Sequence, residues 1–228
     1  DIAFIVIHGS PGEDGLLQSY FELLGVPFTG SDSYTSSITF NKRDCISILQ
    51  KHDILSANSI HLNIGDIINE NEIIKELGLP CFVKANKSGS SFGVYKVNDR
   101  KDLISSINNS FKIDNEILIE SFLDGVEVSV GVMNYKNKIK VLGITQLITD
   151  NDFFDYSAKY EGKSKEITPA NISELQKSNV TTIAKKIYKK LGIKGFSRSE
   201  FIFIGDTPFF IEINSIPGMT NDSILPKQ

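Results

Sequence analysis

Glu200, Glu212 and Asn214 are the residues whose types and spacing most clearly allow chemistry. Glu200 closes the run Arg198-Ser199-Glu200, and Glu212-Ile213-Asn214 follows beyond the turn at Gly205-Asp206. If the two runs are strands of one antiparallel pair, Glu200 and Glu212 can face each other. Glu212 and Asn214 are two apart and share a face. Neighbouring carboxylates repel unless a cation lies between them. An all-oxygen donor set suits Mg²⁺ or Mn²⁺ rather than Zn²⁺. Taken alone, an exposed strand face whose charges pair with nearby lysines explains these residues about equally well.

Lys84 ends an apolar run and leads into Asn86-Lys87-Ser88-Gly89-Ser90-Ser91-Phe92-Gly93. Small side chains let backbone N–H groups approach an anion closely, and the lysine adds positive charge, which is how a phosphate is held. The pattern is not GxxxxGK[ST], and a strand is expected after it instead of a helix. On its own the segment reads more simply as a surface hairpin. Glu120 and Glu127 flank a turn, and Lys159-Tyr160 lies in a polar stretch that could reach a phosphate. Singly, each is ordinary surface or loop chemistry. His8 follows an apolar run and could orient a substrate, although a lone histidine there is more often a hydrogen-bonded loop residue. His52 and His61 have no partner pattern and receive no role. Together the pieces imply phosphate, magnesium and a carboxylate-lined pocket, as in a nucleotide-dependent transferase or ligase.

The elements that must position these groups follow from hydrophobic period and turn chemistry. Ile2 to Ile7 is apolar on both faces and reads as a buried parallel strand. Helices are expected from about Glu13 to Leu24, ended by Gly25, and from about Lys42 to Lys51. Residues 53–67 look like a connection between lobes. Strands are expected at Cys81 to Lys84, Val94 to Val97 and Ile117 to Glu120, with a helix capped by Asp99 over 100–108. Val126, Val128, Val130 and Val132 alternate on one face, and Tyr135 to Asn137 turns the chain into a strand over Ile139 to Leu147. A long polar loop over 149–168 is of a length usually tied to function. A helix over about 172–191 precedes strands at Phe201 to Ile204 and Phe209 to Ile213. The fold class is α/β, with a later sheet that is mainly antiparallel.

The chain has 228 residues, 40% of them hydrophobic and 23% charged, which gives material for one or two cores and excludes wholesale disorder. A net charge of -4 lacks the basic footprint of sequence-independent nucleic-acid binding. No apolar run is long enough to span a bilayer, and no signal peptide is evident. Two cysteines, Cys45 and Cys81, make neither a disulfide framework nor a zinc site and fit a reducing, cytoplasmic setting.

His8-Gly9-Ser10-Pro11-Gly12-Glu13-Asp14-Gly15-Leu16-Leu17-Gln18 resembles the HGxxGEDGxxQ signature of D-alanine–D-alanine ligases. Glu212-Ile213-Asn214-Ser215-Ile216-Pro217-Gly218-Met219-Thr220 resembles their ExNxxPGxT segment. Phe82-Val83-Lys84 with Ser88 to Gly93 resembles their phosphate loop, and Asp155-Tyr156-Ser157-Ala158-Lys159-Tyr160 their YDYxAKY mobile loop. With Arg198 to Phe201, the blocks run in family order across nearly the whole chain.

The resemblance implies an ATP-grasp fold, with α+β lobes, preceded by part of a parallel-sheet N-terminal domain. It divides the chain into a remainder of the substrate-binding domain (1–41), a central lobe (42–122) and a C-terminal lobe (123–228) with the mobile loop 149–168. It assigns ATP to Lys42, Lys84, Ser91, Glu120, Leu123, Glu127 and Lys159. Glu200, Glu212 and Asn214 would hold two Mg²⁺, with Mn²⁺ a possible substitute. Catalytic roles would fall to Glu13, Ser90, Tyr160, Arg198 and Gly218, and His8, Ser223 and Ile224 would bind substrate. The implied reaction joins two D-alanine molecules through an acyl phosphate, for peptidoglycan precursors in the cytoplasm. Arg198 and the Gly218 N–H suit an oxyanion, and the loop 149–168 would close as a lid. A homodimer without nucleic-acid or membrane partners is implied.

The chain departs from the family pattern in three ways. Glu200 stands where the family has aspartate, so metal binding is expected to survive with altered geometry. The chain starts after the family's N-terminal segment and stops before its C-terminal helix, so further segments are expected at both ends. The competing readings are an ATP-grasp ligase with another second substrate, such as D-lactate, against which Tyr160 argues, and a non-catalytic nucleotide-binding module.

Overall fold

A computed structural model describes residues 1–149 and 164–228 of the chain. Its contacts gather the chain into two compact units. One comprises Asp1–Ser56, Gly125–Ile148 and Lys165–Gln228, and the other is built on Ala57–Asp124. Residues 42–56, read from the sequence as the start of the central lobe, make their contacts in the first unit.

The second unit is a four-stranded sheet in the order β1-β4-β2-β3, formed by β1 (Ser59–Asn63), β2 (Cys81–Ala85), β3 (Val94–Val97) and β4 (Glu116–Ser121). All of its pairings are antiparallel. The alternation in β2 explains its two faces. Cys81, Val83 and Ala85 are buried, while Phe82 and Lys84 point to the other side. The buried side meets Ile117 and Ile119 of β4, together with Ile73 and Leu77 of α4 (Glu70–Leu77) and Leu103 and Ile107 of α5 (Leu103–Phe111). Each fully buried Val, Leu or Ile contributes about 1.5–3 kcal/mol. Asn69 caps α4 by accepting the Glu72 N–H. Asp99 caps a short 3₁₀ turn, Arg100–Asp102, that runs into α5.

The first unit holds a five-stranded sheet in the order β7-β6-β5-β8-β9. Its strands are β5 (Val126–Tyr135), β6 (Lys138–Thr149), β7 (Ser164–Ile167), β8 (Phe196–Ile204) and β9 (Thr207–Asn214). Val128, Val130 and Val132 are wholly buried, as are Phe201 and Phe203 of β8. The long helix α6 (Glu174–Lys190) packs on β5, β8 and β9 through Val180, Ala184, Ile187 and Tyr188. Ser173 and Gln176 form a reciprocal capping box at its start. Helices α1 (Leu16–Leu24), α2 (Ser33–Phe40) and α3 (Lys42–Gln50) complete the unit, with the short turn α7 (Ile224–Lys227) at its end.

Several sequence expectations need correction. Ile2 to Ile7 is not a buried strand among the described residues. Ala3 makes an isolated parallel bridge with Phe28, and Ile2, Phe4, Val6 and Ile7 are exposed, so only Ile5 is buried. Helix α1 begins at Leu16 rather than Glu13, because the chain is first wound into turns that end at the left-handed Gly15. Residues 53–67 contain β1, where Ile60 and Leu62 pair with Ile119 and Ile117. Helices α2 and α4 carried no expectation. The stretch 149–168 contains β7, and residues 150–163 of it lie outside the described residues.

Candidate active site

The first cluster is built by the loop that precedes α1. Gly9 adopts a left-handed conformation, and its carbonyl accepts the N–H groups of Gly12 and Glu13, each at 2.8 Å. Glu13 folds back so that Oε2 accepts the Gly9 N–H at 2.6 Å and Oε1 lies 3.5 Å from His8 Nδ1. A Cβ at Gly12 would overlap the carbonyl oxygen of Ile7, so no larger residue fits there. Gln18, fully buried on α1, locks the loop by donating from Nε2 to the Gly12 carbonyl at 2.6 Å. The hydrogen bond to Glu13 raises the His8 pKa, and the Glu13 charge adds to this. Burial and the positive charge of Arg198 oppose it, so Arg198 lies within electrostatic reach of His8. Gly218 adjoins the same imidazole: a Cβ there would lie 3.6 Å from His8 Nε2 and 2.6 Å from Ser223 Oγ. Ser223 Oγ in turn accepts the Thr220 N–H at 3.2 Å.

The second cluster lies on one face of the β8–β9 pair. Glu200 is registered opposite Glu212, and Arg198 opposite Asn214, so all four side chains share that face. The register then shifts: Phe201 pairs with Phe210, leaving Ile211 as an extra residue on β9. This bulge lets Phe210 turn into the core beside Phe201 while Glu212, only two residues on, turns to the opposite face. Arg198 Nη2 lies 2.9 Å from Glu200 Oε1, in a pair whose side chains are 17% and 5% exposed. Lys42, at the start of α3, places Nζ 3.5 Å from Glu212 Oε2. Asn214 Oδ1 accepts the Ile216 N–H at 2.8 Å, which leaves that oxygen a second lone pair. Glu127 and Ser129 of β5 belong to this same face, Ser129 being registered opposite Glu200.

The donor set fits a hard divalent cation. It consists of two facing carboxylates and an amide oxygen, each carboxylate now neutralised by a protein cation. Among the described residues no group of three or more His, Cys, Asp or Glu could hold a metal ion, so any such site must draw on the Asn214 amide.

The second unit contributes its own cluster. Lys84 on β2 pairs with Glu120 on β4, and both side chains are largely buried. Phe82 is registered opposite Glu120, and Lys84 is two along on the same face. Beyond β2, Ser90 and Ser91 both take positive φ, 52° and 58°. Leu123 is half-buried after β4, and Ile224 is buried at the start of α7. Lys159 and Tyr160 lie outside the described residues.

Sequence reasoning gave no role to Gln18, Ser129, Gly131 or Gly143. The last two are registered opposite each other on β5 and β6. They leave a bare patch on which α7 rests, with Gln228 Nε2 donating to Ser129 O at 2.9 Å and Thr145 Oγ1 at 3.0 Å. Two glycines opposed across a ladder were the available signal, since glycine in a strand often marks close approach of another segment.

The family model described as "D-ala D-ala ligase C-terminus" matches residues 48–228, and "D-ala D-ala ligase N-terminus" matches residues 1–31. A D-alanine–D-alanine ligase of Flavobacterium johnsoniae is 58% identical over the whole chain, which covers 71% of that protein. The chain belongs to the D-alanine–D-alanine ligase family. Its fold is likewise that of solved D-alanine–D-alanine ligases. The Bacillus anthracis enzyme, complexed with ATP, matches with a TM-score of 0.86 at 30% identity, over 100% of this chain and 72% of its own. VanG, a D-Ala:D-Ser ligase from Enterococcus faecalis, matches with a TM-score of 0.87 at 33% identity, over 99% of this chain and 66% of its own. Among the described residues no helix of this ligase is long and apolar enough to cross a membrane.

Proposed function

We propose that the chain catalyses the ATP-dependent joining of two D-alanine molecules to D-alanyl-D-alanine. The carboxylate of the first attacks the γ-phosphorus and ADP departs. The amine of the second then attacks the acyl phosphate, and phosphate and a proton leave. The observation that carries this reading is the grouping in one unit of the His8–Glu13 loop, the Gly218–Ser223 turn and the Arg198, Glu200, Glu212, Asn214 face. A ligase must hold two small zwitterions beside a charge-neutralising centre, and this unit has the groups for both.

The residue roles follow from chemistry. Glu13 fixes His8, and the pair faces a zwitterionic substrate together with Ser223 and the buried Ile224. Arg198 and the Gly218 N–H are suited to oxygen that becomes negative as the amine attacks. Lys84, Ser90, Ser91, Glu120 and Leu123 of the second unit are assigned to the nucleotide, with Lys42, Glu127 and Lys159. Tyr160 is assigned to the substrate. Lys84 offers a point charge to phosphate oxygen, and Glu120 an acceptor for an amine or hydroxyl. Glu200, Glu212 and Asn214 would hold Mg²⁺, which when bound neutralises charge on the phosphoryl group. The homodimer is proposed on family resemblance alone.

The test is phosphate release from Mg-ATP with and without D-alanine, with mass detection of the dipeptide. D-alanine-dependent release with D-alanyl-D-alanine formed is expected. ATP binding without such release would leave a nucleotide-binding module instead. The likeness to VanG favours one further comparison: D-serine and D-lactate are offered against D-alanine as second substrate, and D-alanyl-D-alanine is expected to dominate.

A further inference from the structure

We propose that Arg198 and Glu200 form a latch that metal binding opens: without the cation Arg198 is held on Glu200, and the cation releases it to the substrate. This rests on the metal assignment made above. Arg198 and Glu200 are two apart on β8, so both side chains leave the same face, and the guanidinium reaches back to the carboxylate at 2.9 Å. Glu200 is 4% exposed as a whole residue. A carboxylate so buried must keep a counter-charge, and Arg198 supplies it. Glu212, directly opposite, draws on a different cation, Lys42.

The pairing leaves the guanidinium incompletely satisfied. Arg198 Nε is buried and has no hydrogen-bond partner among the described residues, and neither has Ser129 Oγ, which is registered opposite Glu200. The resting arrangement thus meets the charge requirement of Glu200 but not the donor capacity of Arg198. Glu200 and Glu212 would hold a divalent cation, which when bound would supply the counter-charge in place of the guanidinium. Arg198 would then turn its fork to another anion; His8, whose charge feels Arg198, and Gly218 beside it belong to the substrate site proposed above. Chain length matters here. An aspartate would hold the carboxylate one methylene closer to the backbone, away from a guanidinium that leaves the strand two residues earlier. Glutamate is the residue that makes the latch. The function of Arg198 becomes conditional on the metal, so Arg198 engages a substrate oxyanion only in the loaded site.

The latch predicts competition between Arg198 and metal for one carboxylate. Mn²⁺ binding to nucleotide-free protein, read by electron paramagnetic resonance, is measured in wild type, Arg198→Gln, Glu200→Asp and the double variant. Arg198→Gln is expected to tighten Mn²⁺ binding by about tenfold, a typical coupling between contacting residues. In the Glu200→Asp background the same change is expected to do little. Equal tightening in both backgrounds would mean loss of one positive charge and nothing more, and unchanged or weaker binding would leave Arg198 a structural partner; either overturns the latch. No Mn²⁺ binding by wild type would overturn the metal assignment itself, a separate result. Because a variant can misfold, nitrogen-15 NMR of the Arg198 guanidinium in wild type gives a second readout. Its Nε signal is expected to shift on Mg²⁺ addition with the backbone spectrum otherwise retained. An unmoved signal at saturating Mg²⁺ also sinks the proposal.

Discussion

At the scale of single residues, the chain sets several of its charged groups in pairs. Lys84 with Glu120, Lys42 with Glu212 and Arg198 with Glu200 each neutralise a carboxylate within the protein. Removing one member of a buried pair strands the other, which is why such sites resist single substitutions. The His8–Glu13 pair differs, because His8 is 54% exposed. Its pKa is raised above the ordinary 6.5, chiefly by the hydrogen bond to Glu13. A raised histidine contributes its stabilisation in full below the unfolded value, and that contribution is lost as pH climbs through the folded value. Glu13→Gln removes the charge partner. The loss in melting temperature relative to wild type is therefore expected to be larger near pH 5.5 than near about pH 8.5. Part of the loss persists at both, because the variant also weakens the bond that Glu13 accepts from the Gly9 N–H. A pH-independent difference would mean that the ion pair contributes nothing measurable, as exposed pairs often do.

At the scale of elements, the sequence revealed most where a local rule and the tertiary fold agree. The helix expected over about 172–191 is present as Glu174–Lys190, its start fixed by Ser173 and Gln176. The cross-strand pairing of Glu200 with Glu212 followed from a tight turn between two apolar runs, and the ladder contains it. Two features had no such signal. Ile211 is an ordinary strand residue, so nothing local announces the bulge that sends Phe210 and Glu212 to opposite faces; only the competing needs of core and site explain it. Strand β1 lies in a stretch whose Ser, Asn and Asp argue for loop, and pairing with β4 overrides that preference. Gly131 and Gly143 were legible only as glycines until α7 was seen to rest on them. Gly143→Val tests that seat. A Cβ there would meet Gln228 Cβ at 2.8 Å and its Cα at 3.0 Å, so backbone, and not only a flexible side-chain tip, must move. Valine favours a strand, so without this contact it would not harm β6. The expected result is a loss of about 1–3 kcal/mol in stability, as for other overpacked sites. A raised KM for D-alanine is expected with it, because α7 begins beside Ser223. An unchanged KM would show that the turn does not position the substrate site.

At the scale of the whole molecule, the two units carry one cysteine each, and both thiols are buried: Cys45 in the first unit and Cys81 in the second. Burial pushes Cys45 up to about 12 and Cys81 up to about 11. Since the thiolate is the nucleophile, neither is expected to react with an aromatic disulfide reagent in the native protein, and both should react once it is unfolded. That makes each thiol a reporter of the opening of its own unit. When opening and closing are fast relative to labelling, the rate follows the population of the open form. A ligand that binds only the closed form lowers that population, by about 2.7 kcal/mol at a hundred times its dissociation constant. If Lys84, Ser90, Ser91 and Glu120 carry much of the nucleotide affinity, Mg-ATP at that level must slow Cys81 labelling in a Cys45→Ala protein by about a hundredfold. Cys45 labelling in a Cys81→Ala protein then separates two physical cases. Equal slowing means that the units open together in one cooperative step, whereas slowing confined to Cys81 means that the second unit opens by itself and holds the nucleotide with its own groups. Cys81 labelling unaffected by saturating Mg-ATP would contradict the nucleotide role assigned to β2, β4 and the serine loop.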